Sequence, residues 1–377
     1  MFFYLLSFVN FGKSQNMEPL SIYFHWPYCK SKCPYCDFFK KVQKNVNQKE
    51  IIDTYIKELE YYHELVPDRI IRSIFFGGGT PSLIEPKYIE KLLKCVSKLW
   101  PIEKDIEISL EANPNSNHPQ MFRDFKNAGI NRLSLGVQAL NDEDLKFLGR
   151  THNLSTALSS IEEILQTFEN HSIDLIYARP NQKTDEWLKE LEQAVSFGLK
   201  HLSLYQLTIE AGTVFEKRGV KALEEDKAAK MYLQTVCFLK DHGYPRYEVS
   251  NFAPLAYESR HNKCYWQGDD YIGIGESAHG RLKIENQHYA FLHPHQTEIL
   301  TPLERAEELL IMGMRLQKGI NKTHFKEICG FGFDSFINQK NLKQLLEQGL
   351  LLENKNYLQA TNRGFLLLDK IIFELCS

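Results

Sequence analysis

The chain has 377 residues, eight of them cysteine, and carries 45 basic against 48 acidic side chains for a formal charge of −3. Eight thiols are too few for a fold built on disulfides, and a chain of this length buries a large core without them. Charges that nearly balance and mix along the sequence exclude the electrostatic footprint of a nucleic-acid or anionic-membrane binder.

The opening "MFFYLLSFVNFGKSQN" is apolar, yet it lacks a basic n-region and a small-residue cleavage site and is too short to span a bilayer. Met17 stands just before the first strand-like run, so residues 1–16 read as an N-terminal extension ahead of the native start. From Leu20 to Leu207, short β-rich apolar runs alternate with stretches of helical period, which predicts βα units and a parallel sheet. The strands are "LSIYFHW" (20–26), "IIRSIFF" (70–76), "IEISLEA" (106–112), "RLSLGVQ" (132–138), "SIDLIY" (172–177) and "HLSLYQLT" (201–208). Between them, "KEIIDTYIKELEYYHEL" and "DEWLKELEQAVSFG" place apolar residues at i, i+3, i+4 and i+7, as amphipathic helices do. Gly198 caps the second.

The unusual residues fall at or just past the C-terminal ends of these strands. Cysteines follow the first, "GGGTPS" follows the second, Glu111 lies at the end of the third and Gln138 ends the fourth. In barrels of βα units that face carries the chemistry. On the fourth strand Leu133, Leu135 and Val137 alternate with Ser134, Gly136 and Gln138, so the inward side is small and polar and suits a lumen that holds ligands. The expected fold class is therefore α/β: a partial (β/α)6 TIM-like barrel with its extension over residues 17–295. A mainly helical, winged-helix-like domain over 296–377 follows it, without the basic excess a DNA-binding face needs.

Cys29, Cys33 and Cys36 in "HWPYCKSKCPYCDFF" give C-x3-C-x2-C, with the other five cysteines scattered singly. The cluster points to a metal or redox site in a reduced, cytoplasmic setting. Structural zinc takes four closed ligands and a [4Fe-4S] cluster normally takes four thiolates. Three thiols leave a zinc module one ligand short, or leave one iron of a cluster free for a small molecule. The glycines of "GGGTPS" let backbone approach a ligand closely, although a bare turn also uses such a run.

The triplet with "GGGTPS" resembles the radical S-adenosylmethionine (SAM) superfamily, in which a reduced [4Fe-4S] cluster passes an electron to bound SAM. "FFGGGTPSL", "LEANP", "NRLSLGVQALNDEDLKFLGRTH", "DLIYARPNQ", "YEVSNFA", "HNKCYW", "YIGIGESAHG" and "LERAEELLIMGMRLQKGI" extend the resemblance over almost the whole chain. They are similar to its oxygen-independent coproporphyrinogen III oxidase-like branch, nearest the heme chaperones of that branch. The resemblance implies cluster ligation by Cys29, Cys33 and Cys36. It implies SAM contacts from Tyr23, Tyr35, Gly78, Gly79, Thr80 and Glu111, with further SAM or nucleotide positions at Gln138, Arg150 and Asp174. Arg150 suits a bidentate carboxylate clamp. The structural alternatives are barrel packing for Tyr23, a surface ion pair for Arg150 and backbone capping for Asp174.

Heme iron is held by His, Cys, Met or Tyr, and in "HNKCYW" His261 is the leading candidate, flanked by Tyr265 and Trp266 as porphyrin-facing rings. Cys264 and His279 compete with it, and a purely hydrogen-bonded role for His261 stays open. The implied function is heme binding and transfer to recipient hemoproteins, respiratory enzymes among them, with a homodimer left open. The alternative is the oxidase itself, which decarboxylates coproporphyrinogen III in porphyrin biosynthesis. The oxidases carry an extra cysteine two residues after the third ligand, and this chain has Phe38 there; a zinc-stabilised binding module is the third reading. Trp26, Glu276, and Ala178 with Arg179 depart from the family pattern, and Arg179 is expected to bring a cation near the lumen.

Overall fold

A computed structural model describes residues 17–43, 45–114, 120–292 and 296–377; the extension read at 1–16 lies outside the described residues. The six β-rich runs form the strands β1 (Glu18–Trp26), β2 (Arg69–Gly78), β3 (Ile102–Ala112), β4 (Arg132–Gln138), β5 (Asn170–Tyr177) and β6 (His201–Gln206), all parallel and adjacent in chain order. Two-residue alternation sorts their side chains. Ile22, Phe24, Ile74, Phe76, Leu110, Leu133, Leu135, Ile173, Leu175, Leu202 and Leu204 are buried on the helix-covered side. Tyr23, Phe75, Glu111, Arg132, Ser134, Asp174 and Ser203 line a cavity on the other side. The barrel interior is therefore a polar lumen, and the apolar core lies between sheet and helices.

The covering helices are α1 (Gln48–Leu65), α2 (Pro86–Leu99), α3 (Met121–Asn127), α4 (Leu154–Thr167), α5 (Thr184–Ser196) and α6 (Glu225–Asp241). Asn47 and Asn153 cap α1 and α4 through side-chain oxygens, each satisfying a first-turn amide. α5 ends where Gly198 turns left-handed at φ +71°, as the glycine predicts.

β7 (Asn251–Phe252) adds antiparallel to β6, and after α7 (Arg260–Gln267) the chain returns as β8 (Tyr271–Ile274), parallel to β1 on the other edge. β9 (His279–Ile284), β10 (Gln287–Leu292) and β11 (Gln296–Leu300) then extend that edge as an antiparallel meander, giving an eleven-stranded sheet.

Thr301 and Glu304 form a capping box that opens α8 (Pro302–Gly313). β12 (Ile320–Asn321), α9 (Lys322–Cys329), α10 (Gln339–Glu347), the hairpin β13 (Leu351–Glu353) with β14 (Tyr357–Ala360), and α11 (Leu368–Cys376) complete a helical region with a three-stranded sheet. Its apolar residues join the same core cluster as those of the barrel. Buried Arg305 of α8 ties the two parts together by donating to the carbonyl of Gly268, at the end of α7, while pairing with Glu308 on its own helix. Among the described residues no helix is long and apolar enough to cross a membrane.

Candidate functional site

The cysteine loop leaves β1 and is pinned at both ends. Tyr28–Cys29 pairs with Lys41–Val42, the Lys41 amide donates to the Pro27 carbonyl at 2.7 Å, and the Phe215 amide donates to the Pro34 carbonyl at 3.0 Å. Against it lies the glycine loop from the end of β2, where the Gly79 amide donates to the Trp26 carbonyl at 2.7 Å. Gly78 takes φ +108°, and a Cβ at Gly79 would stand 2.8 Å from the Tyr28 oxygen and 3.0 Å from the Cys29 sulfur. Only glycine fits both positions.

A chain of side-chain hydrogen bonds runs across this rim. Thr80 donates its hydroxyl to the Cys29 sulfur at 3.5 Å, and Asn113 donates to Thr80 at 3.4 Å. Arg150 donates one nitrogen to Asn113 and to the Gly136 carbonyl at 2.9 Å. Its other nitrogen donates to the Cys33 sulfur at 3.5 Å and the Tyr35 hydroxyl at 3.4 Å. The guanidinium expected to clamp a carboxylate thus directs these donors at the cysteine loop and strand tips. Gln138 folds back beside Gly136 and Asn113, from a backbone at φ +74°.

Tyr23, Glu111 and Asp174 lie deeper, around a lumen of about 460 Å3, a volume suited to a small ligand. Glu111 accepts from the Gly78 amide at 3.3 Å, and Asp174 accepts from the Ser134 hydroxyl at 2.9 Å. Burial, then the Asp174 charge, push Glu111 up to about 8, against the Gly78 amide and the Arg132 charge. Burial raises Asp174 too, opposed by Ser134, Ser203, Arg132 and Arg150. A neutral Glu111 at pH 7 is poised to ionise when a cation arrives beside it.

His261 sits at the floor, fully buried and stacked on Phe75 with centroids 5.2 Å apart. Both ring nitrogens are committed, one to Ser73 at 2.9 Å and the other to the Tyr265 hydroxyl at 2.6 Å. Burial, then the Arg132 charge, lower its pKa to about 3. Glu107 accepts the backbone amides of Arg260 and His261, which fixes the start of α7 in the barrel. Cys264 is turned to the carbonyls of Asp269 and Asp270, and burial raises its thiol. His279, by contrast, is exposed at the lumen mouth, and Trp266 walls both the lumen and a second cleft of about 610 Å3 beside the C-terminal region.

Arg179 departs from expectation. It is buried and pairs with Asp144 at 3.0 Å and with Glu190, so this cation is neutralised behind the sheet rather than presented to the lumen. Ala178 before it stands at φ +56°, a conformation glycine adopts freely. Glu276 pairs with Lys41 and so bridges the β8–β9 turn to the cysteine loop.

Among the described residues no three His, Cys, Asp or Glu side chains converge on a single metal ion. The sulfurs of Cys29 and Cys33 instead border one rim, with a hydroxyl aimed at the first, a guanidinium N–H at the second, and a glycine where a methyl would collide with the Cys29 sulfur. That is the surrounding a sulfur-ligated cluster needs.

A family model described as the Radical SAM superfamily matches residues 23–195, and one described as the HemN C-terminal domain matches 300–367. The chain is 36% identical to the protein named heme chaperone HemW of Buchnera aphidicola subsp. Schizaphis graminum, over 95% of this chain and 98% of that one. It belongs to the HemW family of radical SAM proteins. The family extends to a mitochondrial radical S-adenosyl methionine domain-containing protein 1 of Bos taurus, 35% identical over 97% of this chain and 90% of the relative. The coproporphyrinogen III oxidase HemN of Escherichia coli, described as a radical SAM enzyme, superposes with a TM-score of 0.79 at 21% identity, over 96% of this chain and 91% of the other. This likeness carries the fold, a radical SAM α/β sheet with a helical C-terminal region.

Proposed function

We propose that the chain holds a [4Fe-4S] cluster on Cys29, Cys33 and Cys36 beside SAM, and that it binds heme and passes it to hemoproteins. The observation that carries this reading is the near full-length likeness to proteins named heme chaperones, over a rim whose three thiols leave one cluster corner to a small molecule. With all eight cysteines free, a reducing compartment such as the cytoplasm suits the chain.

When bound, the cluster and SAM supply one-electron chemistry. The chain's own residues position them. The Gly78–Gly79 backbone lets a ligand close on the rim, and Tyr35 offers a ring face. Thr80 holds the Cys29 sulfur, and Arg150 braces Cys33 and Tyr35 against β4. Tyr23, Glu111 and Asp174 line the lumen and would hold the sulfonium nucleotide from that side, with Gln138 at the strand tip. For heme, His279 would offer an exposed imidazole nitrogen at the lumen mouth, whereas both nitrogens of His261 are engaged inside the protein.

Anaerobic reconstitution tests the proposal. About four iron and four sulfide per chain, SAM binding, and a Soret band on adding hemin are expected. Zinc in place of iron, or conversion of coproporphyrinogen III to protoporphyrinogen without hemin retention, would overturn it.

A further inference from the structure

The described residues include five buried arginines, and four of them are paired. Arg69 meets Glu18 and Asp270, Arg179 meets Asp144 and Glu190, Arg246 donates to Gln317 and Tyr232, and Arg305 meets Glu308. Arg132 is the exception. It opens β4, and the same alternation that turns Ser134 and Gly136 inward brings its side chain to the lumen, where it is 2% exposed. It makes no hydrogen bond or ion pair with any described residue, and its Nε is buried without a partner. The register places Ser109 of β3 directly beside it, and the Ser109 hydroxyl is likewise fully buried and unpartnered.

An unpaired buried cation costs several kcal/mol unless something neutralises it. The lumenal carboxyls do not do so at contact distance. Asp174 is turned to Ser134 and Glu111 to the Gly78 amide. The guanidinium fork matches a carboxylate bidentately. Two acids in the same lumen disfavour a phosphate dianion and leave room for a monoanion. In the same lumen, the rings of Tyr23 and Phe75 stack with centroids 6.2 Å apart and present apolar surface.

We propose that Arg132, with Ser109, anchors a carboxylate borne on an apolar stem at the floor of the lumen. One molecule named in the proposed function carries such a group: a tetrapyrrole, through its propionate arms. The inference rests on that function only for which molecule supplies the carboxylate, not for the site.

Ligand-observed NMR on the full-length chain, with butyrate and methyl butyrate as probes, tests it. Saturation transfer to the acid but not to its ester is expected. Arg132→Gln lowers butyrate affinity at least tenfold, and Arg132→Lys, which keeps the charge and guards against loss of fold, gives an intermediate value. Equal binding of acid and ester, or equal butyrate affinity in wild type and in the folded variants, overturns the site. Displacement of butyrate by hemin but not by hemin dimethyl ester assigns the arm to a tetrapyrrole, and equal displacement by both, or by neither, overturns that assignment. A chain that takes up butyrate through Arg132 yet never binds hemin refutes heme handling and leaves the carboxylate site standing.

Discussion

Gly79→Ala tests the rim where it is tightest. The glycine's φ lies outside the left-handed region, so the added methyl costs nothing in backbone conformation and acts only through contact. Its Cβ would meet the Tyr28 oxygen at 2.8 Å and the Pro27 carbonyl carbon at 2.9 Å, atoms of a backbone held by the Lys41 and Gln43 amides. Reaching an ordinary separation of about 3.4 Å requires the Pro27–Cys29 backbone to retreat by roughly 0.6 Å, and Cys29 moves with it. Overpacking of this kind costs about 1–3 kcal/mol, and loosening one of the pinning hydrogen bonds adds about 1. A fall of roughly 3–6 °C in Tm is expected by scanning calorimetry of the apo-protein. Iron retained after anaerobic reconstitution falls as well, because a displaced thiolate weakens cluster capture. Gly198→Ala is the control: it stands at φ +71° in open space, so it carries the left-handed penalty of about 1 kcal/mol and leaves iron content alone. Wild-type Tm and iron content in Gly79→Ala would show that the cradle is not closed around Cys29.

Four further outcomes are expected. Glu111 binds its proton more tightly folded than unfolded, so its contribution to stability is lost as pH rises from about 4.5 to about 8; Glu111→Gln flattens that slope in denaturant titrations at pH 5.5 and 8. A cation bound beside it reverses the shift, so SAM binding at pH 7 releases a proton, seen as buffer-dependent heat in calorimetry and absent in Glu111→Gln. Arg179→Leu strands buried Glu190 and costs about 3–5 kcal/mol in urea unfolding, whereas adding Glu190→Leu restores much of the loss; additive losses would mean the pair is not coupled. His261→Ala removes two hydrogen bonds and a stacked ring, destabilising by about 2–4 kcal/mol, yet the Soret band of bound hemin stays where it is, while His279→Ala shifts it. The opposite pair of spectra would return the axial role to His261.

The strands were legible because alternation and β-branched runs are local signals. "RLSLGVQ" becomes β4 residue for residue, and the six strands pair in chain order as βα units must. Boundaries drifted where flanking residues extend a ladder without looking apolar: Arg69 and Gly77–Gly78 lengthen β2, and Ile102–Asp105 lengthen β3. Arg150, Arg179 and His261 were legible as chemistry but not as direction. Deciding partners lie far off in sequence: Cys33 and Asn113 for Arg150, Asp144 for Arg179 and Ser73 for His261. Asn113 sits inside the quoted "LEANP" and drew no notice, because one asparagine after a strand reads as a turn. Arg132 had a usable signal: carrying the Ser134, Gly136, Gln138 alternation one step back puts a cation on the lumenal face.

The register explains why rim and floor divide the work. At the C-terminal ends of β1 to β4, backbone groups at Trp26, Gly79 and Gly136 bond loops and one arginine, so a sulfur-rich rim is built there with few charges. Along the lumenal face of the paired strands the backbone groups are committed to the ladder, so polarity at Ser109, Arg132, Ser134, Asp174 and Ser203 has to come from side chains. Side chains in that layer satisfy one another in pairs except at Arg132 and Ser109. The unmatched pair marks the depth at which a ligand, rather than the protein, completes the lumen.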